Sequence, residues 1–362
     1  MSVVIFIVVI VALIVVHEFG HFVAAKLSGM RVDEFGLGYP PRALLLAKKG
    51  ETEYTLNWLP FGGFVKIYGE NGGEKDSRAF SSRPRVLQAV VLIAGVAMNL
   101  LFAYVLITGA LVMGTPRALS DSEVATARNA ELMVSNVLPS SPAALAGLLP
   151  GDSIISAQDA VGQWKDIDPK SFSTFIAASR GGAVTLTIQH NGTEQVVTAV
   201  PKEGIATNDP FRYALGVEVA TVGVVPLSFF AAVTEGASLT WGATVLTAQG
   251  LLHFFYGVFT FTADLSQVTG PIGIAGVVGS ASAQGFGDLL SIMALISINL
   301  ALINLIPVPA LDGGRLLFVI IESIVRRPIK ARVAHAVNAV GFVALILLML
   351  VVSAHDIFKI LG

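Results

Sequence analysis

Two histidines four residues apart, with a glutamate beside the first, stand in His17-Glu18-Phe19-Gly20-His21. On a helix, positions i and i+4 share one face. Two imidazoles at that spacing can grip one Zn²⁺ from the same side. Glu18 is turned from His17 by about 100°, so it does not easily ligate with them. It lies beside the metal, where it can take a proton from water. This is the HExxH arrangement of metalloproteases. Zinc lowers the pKa of a water that it binds from about 15.7 to about 7, which makes hydroxide available at neutral pH.

The surroundings of this group are apolar. It interrupts a run that opens MSVVIFIVVIVALIVV. Ionisable side chains inside a membrane span cost at least about 2.5–3.5 kcal/mol each on insertion scales, and they mark function by default. Three in five residues call for a compensating ligand; hydrogen bonding between helices is the purely structural alternative. Of the 362 residues, 54% are apolar and 13% charged, against about 25% charged in soluble domains. The chain therefore belongs to the membrane class. A net charge of −2 gives no reason to expect nucleic acid, and the absence of cysteine excludes disulfides and thiolate metal sites. The opening run has no basic segment before it and no small-residue cleavage site after it. Apolar character resumes beyond HEFGH, so a retained helix is expected rather than a signal peptide.

Two histidines leave a catalytic zinc one protein ligand short. His253, His335, His355 and Asp312 are the candidates near span ends. Asp312 stands in NLIPVPALDGG, residues 304–314. Pro307 and Pro309 break the helix, and Gly313 and Gly314 permit unusual backbone angles. That stretch presents a carboxylate from non-helical chain at the end of a hydrophobic run. His190 flanks a hairpin turn and is expected to be solvated.

The elements that must position these groups follow from hydropathy. A membrane helix needs about 20 apolar residues. Residues 1–28 hold the first, with HExxH; residues 86–113 the second; residues 289–332 the third, followed by Asp312 and a basic loop; residues 333–362 the fourth and the C-terminus. Residues 29–85 are polar and Gly-rich, and GETEYTLNWLPFGGFVKIYGE within them alternates as β structure. A hairpin dipping into the membrane interface is expected there, since such backbone is tolerated only against protein or a wet cavity. Residues 115–225 read as one small α/β domain. Asp168-Pro169 starts a helix as cap and first position, and Asn191-Gly192 is the preferred turn of a β-hairpin. Residues 226–288 are expected as an interfacial or re-entrant helical segment.

Charge sets the orientation. The 29–85 segment carries nine Lys and Arg and the 311–332 loop five, whereas 114–288 carries seven in 175 residues. By the positive-inside rule the two basic segments are cytoplasmic and the α/β domain is outside. Spans one and three then both run inward, which brings His17, His21 and Asp312 to the same inner half. A fifth span within 226–262 would put Asp312 on the wrong face.

HEFGH in the first span and NLIPVPALDGG in the third resemble the site-2 protease family of intramembrane zinc metalloproteases, RseP-like peptidases of family M50. YTLNWLPFGGFVKIYGE resembles that family's membrane-associated β-loop, VLPSSPAALAGLLPGDSIISA the start of its PDZ domain, and TGPIGIAGV its approach to the third core span. The resemblance covers nearly the whole chain. It implies a polytopic α-helical membrane protein of about four spans, with a membrane-associated β-loop and one inserted extracytoplasmic PDZ-like α/β domain. It implies Zn²⁺ held by His17, His21 and Asp312, with Glu18 as general base. It implies cleavage of single-span membrane proteins pre-trimmed by another protease, in the cell membrane (the inner one where there are two). Roles near the substrate or transition state are implied for Asn304 and Asn99, and Gly62 and Gly63 of the β-loop are candidates beside a substrate strand. The family often shows Gly-Pro-x-x-Asn; here Gly95-Val96-Ala97-Met98-Asn99 lacks the proline. Better-known members often carry two PDZ domains, and this chain has room for one, expected to bind a peptide or substrate ectodomain.

Two other function classes make different demands. A metal transporter needs further carboxylates or histidines within its spans, and spans two and three have none. A catalytically inactive scaffold displaying a PDZ domain does not need Glu18 between its histidines.

Overall fold

An apolar segment in lipid must satisfy its own backbone, and a helix does so within one segment. The four long apolar runs are all helical in the computed structural model, which describes residues 2–70, 74, 76–190, 192–205, 209, 211–260, 269–327 and 329–361. In chain order the elements are α1 (Ser2–Leu27), β1 (Val32–Lys49), β2 (Thr52–Ile67), α2 (Arg85–Met113), β3 (Pro116–Ala118), β4 (Arg128–Val137), α3 (Pro142–Leu145), β5 (Ser153–Gln158), β6 (Gln163–Trp164), α4 (Pro169–Ala178), β7 (Val184–His190), β8 (Thr193–Ala199), β9 (Val217–Val224), α5 (Phe229–Thr260), α6 (Pro271–Gln284), α7 (Phe286–Leu305), α8 (Asp312–Val325) and α9 (Ala331–Leu361). They form two compact units, one of Met1–Val112 with Ser228–Gly362 and one of Met113–Leu227.

In the first unit, Val3–Leu27, Arg85–Met113, Phe286–Leu305 and Arg332–Phe358 are long and apolar enough to cross a membrane. This is the number of spans expected from the sequence. The helix α1 ends in a Schellman turn: Gly29 has φ +68° and Met30 N–H donates to the Ala25 carbonyl at 2.9 Å. The chain then enters a ribbon folded on itself. Phe35 of β1 faces Val65 of β2 on one side and Tyr54 on the other. Paired strands thus extend from 32 to 67, well beyond the hairpin read from the sequence. Ala25, Val32, Ile67, Val91, Leu92 and Val319 form one buried cluster that joins α1, the ribbon, α2 and α8. Ala103, Leu106, Ala294 and Ile298 join α2 to α7. Lipid is as apolar as these side chains, so close van der Waals fit between small residues holds such helices together.

Residues 226–288 contain α5 and α6, with 261–268 outside the described residues. α5 is one unbroken helix of 32 residues and is not among the four spanning candidates. Asp356 of α9 caps α6, accepting from the N–H groups of Gly270 at 3.1 Å and Gly273 at 2.9 Å. One expectation is corrected. The basic segment after the third span is not all loop, because Asp312–Val325 is helix α8. Its apolar residues recur at helical spacing and Leu316 and Val319 pack into the cluster around Val91. Arg326, Arg327, Lys330 and Arg332 all follow its last residue.

The second unit is a sheet in the order β3-β9-β4-β5-β7-β8, with β6 on β5. Leu132, Ile154, Phe172, Ile176, Leu186 and Ile188 are among the residues of its core. Asp168 accepts from the N–H groups of Lys170 and Ser171, which starts α4. β7 and β8 pair from Val184↔Ala199 to His190↔Thr193 around Gly192, whose φ is +80°; Asn191 lies outside the described residues. β9 and β3 were not read from the sequence.

Candidate metal centre

The centre is assembled from three helices and a turn. The helix α1 brings His17 and His21 to one face, and both are buried, at 6% and 7% exposure. Asp312 arrives through the break after α7. Ile306 is extended at φ −65°, ψ 137°, Val308 N–H turns back to the Ile306 carbonyl at 2.7 Å, and α8 starts at Asp312. The glycines after Asp312 are a matter of space. A Cβ on Gly313 would stand 2.2 Å from the Ile306 oxygen, and one on Gly314 2.3 Å from the Val308 oxygen.

Three donor atoms converge. His17 Nε2 is 2.9 Å and His21 Nε2 3.1 Å from Asp312 Oδ2, and the two Nε2 atoms are 3.2 Å apart. Among the described residues this is the one group of three or more His, Asp and Glu able to hold a metal ion. Two imidazole nitrogens and a carboxylate oxygen suit zinc, and three protein ligands leave the open position of a catalytic site. Tetrahedral zinc with bonds of about 2.0–2.1 Å separates its ligands by about 3.3–3.4 Å. The observed triangle is close to that face. The donor set therefore fits a zinc ion.

The helix α2 backs this triangle. His21 Nδ1 lies 2.8 Å from the Val91 carbonyl, and His17 Nδ1 lies 3.2 Å from Asn99 Nδ2. Between them, a Cβ on Gly95 would come within 2.4 Å of His21 Nε2 and 2.8 Å of His17 Cε1. Metal-bound histidines usually donate their second ring N–H to such a partner.

The remaining expected residues fall in different places. Glu18 is half-buried on α1 and faces the ribbon, where a Cβ on Gly63 would lie 3.8 Å from Glu18 Cγ and 3.0 Å from the Gly36 carbonyl. Gly62, with φ +86°, rests against the side chain of Ile14. Asn304 is half-buried in the last turn of α7, and it makes none of the cluster's hydrogen bonds. Asn99 is fully buried behind His17. His253 and His355 lie in α5 and α9 and are not in the cluster. His190 pairs with Asp152 at 2.5 Å in the second unit. The side chain of His335 is outside the described set. Sequence reasoning missed Val91, whose carbonyl leaves no mark in sequence, and the ion pair between Glu70 and Arg315.

Known proteins resemble this chain over nearly its whole length. The model of peptidase family M50 matches residues 5–348. A protein of Clostridium perfringens, provisionally named a zinc metalloprotease, is 35% identical over 347 residues, which is 96% of this chain and 95% of that protein. One of Nostoc sp. with the same provisional name is 34% identical over 355 residues, 96% of this chain and 93% of that protein. A third, of Clostridium acetobutylicum, is 32% identical over 347 residues, 95% and 94% of the two chains. With a catalytic-type donor set buried among apolar helices and a family match over nearly its whole length, this chain belongs to peptidase family M50.

Proposed function

We propose that this multi-pass membrane protein, a zinc metalloprotease, cleaves single-span membrane proteins within or near the bilayer. One observation carries the reading: His17 Nε2, His21 Nε2 and Asp312 Oδ2 converge at 2.9–3.2 Å beside helices long and apolar enough to span. Zinc, when bound there, supplies a Lewis acid that polarises a peptide carbonyl and eases deprotonation of water. Glu18 takes the proton of the attacking water and later gives it to the leaving amine. Asn304, in the last turn of α7, is the candidate to hold the developing oxyanion or the substrate backbone.

A substrate helix must unwind first, because its scissile carbonyl is engaged in the helix ladder. The ribbon supports a route for the extended chain: Gly62 and Gly63 run along α1 at Ile14 and Glu18 without side chains of their own. Exposed Leu44, Leu45, Leu46 and Trp58 on the same ribbon favour insertion into the membrane interface. From the charge count, the basic segments face the cytoplasm and the second unit lies outside the cell membrane. That unit is read as a PDZ-like peptide-binding module. A cavity of about 210 Å³ lined by Leu138, Phe172, Ile176, Leu215, Val217 and Val219 supports it, since an extended peptide could add to β9 at residues 217–220, the part that β3 leaves uncovered.

The test is purification of the full chain in detergent, with metal analysis and a cleavage assay on single-span substrates. The parent is expected to hold one zinc and cleave. Glu18→Gln should retain the zinc and lose roughly 10²-fold or more of the rate. Full activity of Glu18→Gln refutes the base assignment, and a zinc-free active parent refutes the metal site.

A further inference from the structure

Val91, Gly95 and Asn99 recur every four residues on α2 and share one face. That stripe meets both imidazoles. At His21 the arrangement is complete: Nδ1–H donates to the Val91 carbonyl at 2.8 Å, so the lone pair of Nε2 is free to ligate. At His17 it is not. Asn99 Nδ2 stands 3.2 Å from His17 Nδ1, while Asn99 Oδ1 is buried without a partner among the described residues. With an NH₂ donor at Nδ1, a neutral His17 carries its proton on Nε2. That atom faces His21 and Asp312, and protonated it cannot ligate.

The two ends of a side-chain amide have the same shape, and their assignment rests on the hydrogen bonds they make. Turning the Asn99 amide by half a rotation sets Oδ1 against His17 Nδ1–H. The oxygen then takes the place of the NH₂ against His17, and His17 takes the same tautomer as His21. Both Nε2 lone pairs then aim at the point shared with Asp312. The Asn99 backbone is itself fixed, since its carbonyl accepts from Ser297 Oγ of α7 at 2.8 Å and both residues are fully buried.

We infer that Asn99 is a positioning residue, an acceptor that fixes the tautomer and ring plane of His17 for metal binding, and not a substrate contact. This rests on the zinc reading given above. A substrate or oxyanion role needs the NH₂ to reach reacting atoms, and Asn99 lies behind the imidazole with no exposed surface.

The test measures zinc affinity of the full chain in detergent by competition with a chromophoric chelator. Asn99→Leu keeps the size and removes the acceptor, and should weaken zinc roughly 10–100-fold. Asn99→Asp keeps only acceptors and should stay within a few-fold of the parent, a rescue that an NH₂ donor role forbids. Parent-like affinity in Asn99→Leu overturns the inference, as does an Asn99→Asp as weak as Asn99→Leu. The parent alone supplies a second reading, independent of how the variants fold. In the zinc-loaded chain with ¹⁵N-labelled histidine, His17 should carry its proton on Nδ1. A proton on Nε2 overturns the inference. A parent that binds no zinc at all defeats the metal reading instead.

Discussion

Arg315 of α8 forms an ion pair with Glu70, three residues beyond the end of β2. Arg315 is three residues after Asp312, so the polar segment holds the first turn of the helix that delivers the third candidate ligand. Burial pushes the Glu70 carboxyl up, against the pull of the Arg315 guanidinium. Farther along α8, Glu322 pairs with Arg85 of α2 at 2.8 Å. Arg315→Ala should leave Glu70 largely buried without its cation and let α8 shift. The stability cost is about 1 kcal/mol, because Arg315 is partly solvated, but zinc retention through dialysis should fall several-fold. The charge exchange Glu70→Arg with Arg315→Glu should recover part of that retention. A double variant no better than the worse single one would mean that the two residues do not act as a pair.

Gly95→Ala tests how closely α2 must approach. Alanine is the better helix former, so the helix itself should be unharmed. Its methyl would stand 2.4 Å from His21 Nε2 and 2.8 Å from His17 Cε1. Neither ring can retreat freely, since Val91 and Asn99 hold their other nitrogens. The variant should elute as the parent does and bind zinc at least roughly tenfold more weakly. Unchanged zinc affinity would show that the rings have room that their contacts deny.

Much of this centre was legible in the sequence, for definite reasons. His17 and His21 announce themselves because a four-residue spacing has one meaning on a helix and because charge inside an apolar run needs a cause. Asp312 was legible because Pro307 and Pro309 forbid the helix to continue. What escaped notice depends on backbone or on distant pairing. The Val91 carbonyl has no residue signature. Glu70 and Arg315 are 245 positions apart. The helix α8 was hidden by the basic residues that follow it, which weighted the whole segment toward loop. β3 and β9 escaped because β3 is three residues long and β9 is recognisable mainly through its partner β4.

Removal of metal should separate the roles of the polar groups. A strong chelator should abolish cleavage by the parent, and added zinc should restore it. Asp312→Ala leaves two imidazoles, too few for a catalytic site, so its activity should stay lost at zinc concentrations that restore the parent. Glu18→Gln should behave in the opposite way, giving up and regaining zinc as the parent does while remaining inactive at every stage. A variant of Asp312 that recovers with the parent's zinc dependence would move the third ligand elsewhere.

In the second unit, pH should act through Glu123. Its carboxyl pairs with Arg117 of β3 and accepts from the Ser120 N–H at 3.0 Å and hydroxyl at 2.7 Å. The Arg117 hydrogen bond first, then those of Ser120, pull it from 4.5 down to about 2. A depressed folded-state value means stabilisation that is fully present above the unfolded value and lost as pH falls through the folded one. The clasp between β3 and β4 should therefore weaken progressively as pH falls below 4.5, where the opened loop begins to take up the proton, and its contribution should be gone near about 2. The amide of Leu119, which donates to the Thr221 carbonyl at 2.8 Å, reports on this clasp by hydrogen exchange. In Glu123→Gln the acid pair is gone at every pH, so Leu119 should exchange faster than in the parent at neutral pH and show no further acid step. Parent protection that stays level between pH 4.5 and about 2 would mean that Arg117 does not hold Glu123 ionised.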